Sequence, residues 1–183
     1  MNFDFKRLFK KRTLADYLTY GLIIAVGIFL DQLTKLLAVK YLMPIRTVPL
    51  IKIGDTQVLN LTYVENRGAA FGMMADSPWV FNSISTVAVI VMLAYLFLGH
   101  SGSRLEGIGM SMLVSGGIGN MIDRISLHYV IDFIDFRLIN FAVFNGADSF
   151  VCVGAGLLIL ALVLEMVKES REKKAAGSEE SEE

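Results

Sequence analysis

The chain has 183 residues, 54% of them hydrophobic, with a mean hydropathy of +0.56 and a formal net charge of −1. Apolar residues at that level, gathered into long blocks, exclude an ordinary soluble domain and place the protein in the membrane class. The single cysteine, Cys152, excludes an intrachain disulfide, and His100 and His128 stand apart without metal-ligand spacing, so neither metal nor cofactor is expected.

Residues 1–16 form a basic arm with Lys6, Arg7, Lys10, Lys11 and Arg12. The apolar run from Leu18 to Leu30 continues through Asp31 and Lys35 into LLAV with no small-residue cleavage site. It therefore reads as a retained first membrane helix, about 16–42, rather than a secretory signal. Next come two β-prone runs, VPLIKI and TQVLNLTYVEN, around Gly54-Asp55, the pattern of a hairpin over about 44–66. An open sheet edge cannot sit in hydrocarbon, so the hairpin belongs at the membrane surface. RGAAFGMMA then predicts a short interfacial helix, about 67–76.

The second span, 79–99, carries no charge and follows Ser77-Pro78, an N-cap and a proline at the first helical position. The third, 105–125, is rich in glycine (Gly107, Gly109, Gly116, Gly117 and Gly119), which lets helix backbones approach closely in lipid. An outer loop, 126–146, leads to the fourth span, 147–167. The remainder, 169–183, ends in AAGSEESEE and reads as a charged, disordered tail.

The expected fold is thus an all-α membrane protein: a four-helix bundle over residues 17–168 with a small extracytoplasmic β-hairpin and an interfacial helix. Basic residues in the arm, and Lys168, Arg171, Lys173 and Lys174 at the other end, place both termini in the cytoplasm.

On that topology the unusual polar residues collect at the outer face: Asp31, Lys35, Asn66, Arg67, Asn120, Asp123, Arg124, Asp132, Asp135, Asn145 and Asp148. Each has a plain structural reading. Asp31 and Lys35 make an i,i+4 pair that can neutralise itself. Asn120 and Arg124 can tie a helix end to the surface. Asn145 and Asp148 fit the N-cap and N3 positions of the fourth helix. Asp132 and Asp135 can be loop charges. Convergence favours function, because chance would scatter these groups over both faces. A carboxylate in the membrane costs about 2.5–3.5 kcal/mol on insertion scales and usually faces the bundle interior.

Nucleophile alternatives are poor: Ser149 lacks a G-x-S-x-G setting and a placed histidine, and Cys152 lacks a base. Two carboxyls close together, Asp132 and Asp148, share one proton across neutral pH. The ionised member takes a proton from water and the protonated member polarises a carbonyl. No metal or cofactor is required.

Five motifs carry a resemblance: DQLTK at 31–35, ENRGAAFG at 65–72, GGIGNMIDR at 116–124, VIDFIDF at 130–136 and FNGADS at 144–149. In that order the chain resembles the lipoprotein signal peptidases (signal peptidase II), bacterial membrane aspartyl proteases, over about 17–164. The resemblance implies a catalytic pair of Asp132 and Asp148. It implies supporting or substrate-binding roles for Asp31, Lys35, Asn66, Arg67, Asn120, Asp123, Arg124 and Asn145. Asp135 does not match the catalytic position. FNGAD has Gly146 where family members often carry a larger apolar residue.

The implied substrate is a diacylglyceryl-modified prolipoprotein, cut before its lipidated cysteine. The implied location is the bacterial cytoplasmic (inner) membrane, with the active site at the extracytoplasmic face. Membrane lipid is a partner, a monomer suffices and no nucleic acid is involved. Two competing readings are a small proton-coupled carrier and a non-catalytic membrane adaptor. Four spans without an inverted repeat make a poor transport path. An adaptor leaves Asp132 and Asp148 idle.

Overall fold

The structure is a computed structural model that describes residues 12–68, 78–99, 102–139 and 141–179. In chain order it holds α1 (Leu14–Tyr41), β1 (Thr47–Ile53), β2 (Thr56–Asn66), α2 (Pro78–Leu98), α3 (Arg104–Ser126), β3 (Val130–Phe136), a 3-10 turn at Arg137–Ile139 and α4 (Gly146–Glu179). The expected interfacial helix falls mostly on 69–77, outside the described residues, as does the arm over 1–11.

Local chemistry sets the helix starts. Thr13 and Asp16 form a reciprocal capping box at α1, and Ser103 and Glu106 form another at α3. Pro78 opens α2 with a preset φ and no wasted N–H. At the end of α3, His128 takes the left-handed backbone (φ 65°) in the turn that leads into β3.

α3 packs against α1, α2 and α4 and is the enclosed helix of the bundle. Its glycines permit this. Gly109 and Gly154 meet face to face between α3 and α4, where an added Cβ on either would lie within 3 Å of the other's carbonyl oxygen. The outward faces of α1, α2 and α4 are apolar and exposed, with Leu22 65% and Leu162 60% accessible. The buried set, by contrast, includes Asp31, Lys35, Asn120, Asp123, Asp132 and Asn145. Apolar outside and polar inside is the reverse of a water-soluble protein. Among the described residues, α1 and Gly146–Glu172 of α4 are long and apolar enough to cross a membrane, and Ser83–Leu98 is a shorter apolar stretch.

The hairpin forms as expected, with Gly54 (φ 57°) at the first turn position. Two expectations are corrected. The outer loop 126–146 contains a strand, β3, which pairs antiparallel with β2 and makes a three-stranded sheet of order β1-β2-β3. Two aspartates in VIDFIDF lower its β propensity, and its partner is distant in sequence, so no local turn announces the pairing. The segment from 169 to 179, expected as part of a disordered tail, continues α4. Lys168, Glu169, Arg171 and Glu172 are good helix formers, and Lys168 lies 4.0 Å from Glu172 one turn on.

Ala38, Leu42, Tyr63 and Ile131 form a buried cluster that seats the sheet on the end of α1. At the opposite end of the bundle, Arg12 closes the helices together. It is buried, and its Nη1 donates to the carbonyls of Leu96 (2.6 Å) and Tyr95 (3.1 Å) at the end of α2. The guanidinium lies over the rings of Tyr20 and Tyr95 and 3.8 Å from Glu106 of α3. Charge-assisted hydrogen bonds of this kind contribute about 1.5–3 kcal/mol each. Arg12→Ala is therefore expected to lower stability by about 2–3 kcal/mol. Thermal unfolding in detergent checks this, and an unchanged midpoint would contradict the clamp.

Candidate active site

α4 begins where Asn145 caps it. Asp148, in the first turn, donates its backbone N–H to Asn145 Oδ1 (3.0 Å), and Asp148 Oδ2 accepts from the Asn145 backbone N–H (3.2 Å). Asp148 is thus a capping residue as well as a candidate acid. Its Oδ1 accepts from Asn120 Nδ2 of α3 at 2.7 Å.

Asp132 sits on β3, opposite Val64 of β2. Its Oδ2 accepts from Asn66 Nδ2 (2.9 Å), and its Oδ1 accepts from Asn145 Nδ2 (2.7 Å). The same Asn145 amide also donates to Asn120 Oδ1 (3.0 Å) and lies 3.3 Å from the carbonyl of Ile131. One side chain therefore holds both aspartates. Burial pushes Asp132 up to about 6. The Asn66 hydrogen bond opposes that rise, the neighbouring Asp148 charge adds to it, and Asn145 and Lys35 oppose it.

Behind the aspartates lies a buried charge cluster. Lys35 Nζ is 2.9 Å from each of Asp31 Oδ2, Asp123 Oδ2 and Asn120 Oδ1. Asp31 Oδ1 accepts from the Ala147 N–H (2.8 Å), which anchors the start of α4. Asp123 Oδ2 accepts from the Ile131 N–H (3.1 Å), which anchors β3. Gly119 is where α3 comes closest to Asp31: an added Cβ would lie 2.5 Å from Asp31 Oδ2. Gly146 is roomier, with Asp31 Oδ1 3.5 Å from an added Cβ.

Of the eleven polar residues singled out in the sequence, eight share this hydrogen-bonded network: Asp31, Lys35, Asn66, Asn120, Asp123, Asp132, Asn145 and Asp148. Arg124 lies in electrostatic reach of Asp148, Asp132 and Asp123. Arg67 does not join: its side chain is 76% exposed, 3.5 Å from Glu65 and over the Tyr129 ring. Asp135 is buried elsewhere, bonded to Thr62 and Arg137. Three residues along an extended strand put it on the face opposite Asp132.

Gln32 is a member that sequence reading missed. Its Nε2 lies 3.0 Å from Asp123 Oδ1, 3.1 Å from the Gly119 carbonyl and 3.2 Å from Asp31 Oδ2. Its position inside DQLTK, beside Asp31, was the available signal. Among the described residues no group of His, Cys, Asp and Glu could hold a metal ion.

A helical membrane protein with two carboxylates held on one asparagine network has the construction of an aspartic hydrolase. Residues 23–164 match the family Signal peptidase (SPase) II, and the chain belongs to it. It is 49% identical over 136 residues to a lipoprotein signal peptidase of Caldanaerobacter subterraneus, a match covering 74% of this chain and 90% of that one. It is 40% identical over 153 residues to one from Clostridium tetani, covering 82% and 96%. Its fold is similar to a bacterial membrane enzyme solved by the in meso method at 2.3 Å, with TM-score 0.70, 29% identity, and 87% and 94% of the two chains covered. A second such structure, at 1.9 Å, gives TM-score 0.66 at 30% identity, covering 84% of this chain and 96% of that one. Membership makes the protein an aspartic peptidase that removes signal peptides from prolipoproteins. The carrier and adaptor readings fall away.

The charge cluster yields a stability prediction. Lys35→Met leaves Asp31 and Asp123 buried without their cation, and removing one partner of a buried pair costs about 3–5 kcal/mol. Adding Asp123→Asn removes one of the two orphaned charges and is expected to recover part of that loss. Denaturation of the single and double variants in one detergent checks the order.

Proposed function

We propose that Asp132 and Asp148 are the catalytic dyad, cutting diacylglyceryl-modified prolipoproteins before the lipidated cysteine. The observation that carries this reading is the double grip of Asn145. Its amide donates to Asp132, while its backbone N–H and Oδ1 hold Asp148.

The pair holds one proton between them. The ionised carboxylate takes a proton from a water, whose oxygen adds to the carbonyl carbon. The protonated carboxyl donates a hydrogen bond to the carbonyl oxygen and stabilises the tetrahedral adduct. Collapse breaks the C–N bond, and the amine of the cysteine leaves with a proton from the dyad. Asn66, Asn120 and Asn145 hold the carboxyls in place; Asp31, Lys35 and Asp123 brace them, and Arg124 adds positive charge nearby. Arg67, beyond the network, is positioned to meet substrate at the rim. The lipid stays in the bilayer and the signal segment among the helices, so anchoring delivers the bond to the pair and removes much of an entropic barrier.

The topology that suits this chemistry has four spans. α3 is enclosed by the others, so its glycines and polar residues need not face lipid. Arg12, Lys168 and Arg171 mark the cytoplasmic side, and the aspartates then open to the outer side. β1 exposes Leu50 and Ile53, which suits a sheet lying on the outer surface of the membrane. The peptidase domain is 17–168, flanked by the basic arm and by a helical extension in the cytoplasm. One copy carries every residue the mechanism needs.

Purified protein in detergent, given a lipidated precursor, tests the dyad. Asp132→Asn and Asp148→Asn are each expected to lower turnover at least about a thousandfold, the scale of losing one member of a catalytic unit, while precursor binding persists. Normal turnover by either variant ends the mechanism. A second measurement uses the pH profile. Asp132 sits near 6 even with Asn66 donating to its ionised form. Asn66→Ala removes that donor, so the Asp132 pKa rises further. Activity that needs its proton is then lost at higher pH: the alkaline limb of kcat/KM moves up. A limb that stays put or moves down contradicts the assignment.

A further inference from the structure

Away from the aspartates, the cytoplasmic half of the bundle holds a cavity of about 380 Å³ that the reaction above does not use. α2 supplies Tyr95, α3 supplies Glu106 and Met110, and α4 supplies Leu158, Leu162 and Glu165. The wall is apolar except for its two glutamates. They are not equivalent. Glu106 is already engaged: Tyr95 donates its hydroxyl to it, the Ser103 N–H caps it at 3.2 Å, and Arg12 lies 3.8 Å away. Glu165 is half-buried on the membrane helix α4. Its charged neighbours are Glu106, Glu169 and Lys168, and among the described residues no cation lies within ion-pair distance. An ionisable side chain inside a membrane helix is costly, usually lies on a substrate or ion path, and calls for a partner.

The chemistry of the partner follows from the cavity: an apolar segment ending in positive charge. A signal peptide has that pattern, with basic residues before an apolar stretch of about 7–15 residues. From Asp148 to Glu165, α4 rises about 25 Å; a helical apolar stretch of that length spans about 10–23 Å, and the residues between it and the scissile bond cover the remainder. A precursor with its scissile bond at the aspartates has its basic residues at the level of Glu165.

We infer that this cavity between α2 and α4 seats the apolar part of the signal peptide, and that Glu165, seconded by Glu106, receives the basic residues at its N-terminal end. The inference rests on the signal peptidase reading and names a specificity contact for it. Glu165 touches the part of the substrate that is discarded, so it governs binding and leaves the chemical step alone.

The test uses full-length enzyme in vesicles of zwitterionic lipid with two lipidated precursors, one with its natural basic N-terminal region and one with those residues changed to glutamate. Glu165→Lys is expected to raise KM for the basic precursor about tenfold and to lower it for the acidic one, with kcat steady on both. Glu165→Gln, which keeps the side-chain shape, is expected to fall between. A KM change of the same sign on both precursors indicates a packing role and overturns the inference, as does no change on either. An effect that tracks anionic lipid added to the vesicles, rather than precursor charge, assigns the cavity to lipid and also overturns it. Failure of the parent enzyme to cut either lipidated precursor would instead sink the peptidase reading itself.

Discussion

A lysine ammonium sunk between two carboxylates is the constraint on which this molecule is built. Lys35 meets Asp31, Asp123 and Asn120 at the same 2.9 Å. Each acid also accepts from backbone: Asp31 holds the start of α4, and Asp123 holds the start of β3. Those are the two elements that carry Asp148 and Asp132. Taking three charges out of water is expensive, and a buried pair is weak evidence of stability by itself. What the cluster provides is register. It ties α1, α3, α4 and the sheet together in an alignment where Lys35, Asp31 and Asp123 are paired.

Such a cluster survives only because the bundle is turned inside out. Leucines and valines on α1, α2 and α4 face outward, and the enclosed α3 carries both the polar groups and the glycines. The two properties of α3 depend on each other. Gly119 lets α3 come close to Asp31, so that Asp123 of α3 can share Lys35 with it, and Gly109 meets Gly154 where α4 packs on α3. Without hydrophobic drive between helices in lipid, close backbone approach and polar pairing do the work of a core.

Much of this was legible in the sequence. Long apolar blocks located the helices to within two residues at all but one end, because lipid demands a continuous run and punctuates it with charge. The motifs located eight members of the network, because intramembrane carboxylates and amides have few other uses. What escaped is long-range. β3 pairs with a strand more than sixty residues away, and two aspartates hide its pattern. The fourth helix outlasts its apolar stretch because its charged continuation is itself a helix former. Arg12 looked like one base in a basic arm, yet it is buried against α2, a contact no local pattern encodes. Arg67 lies beside Asn66 in the chain but turns outward just past the end of β2, where no ladder partner fixes it.

Under the proposed dyad, the identity of the groups touching the aspartates follows from what a shared proton needs. A cation bonded directly to a carboxylate favours its ionised form, and a dyad with both members ionised has no acid. Asn66, Asn120 and Asn145 supply directed N–H donors that fix each carboxyl without fixing its charge. Lys35 is held one residue back, donating to Asn120 Oδ1 while the Nδ2 of that same amide reaches Asp148. The amide passes on orientation and a fraction of the polarisation while keeping the full charge at a distance. Burial, the leading influence on Asp132, pulls its pKa toward neutrality, the range that the proposed proton exchange requires.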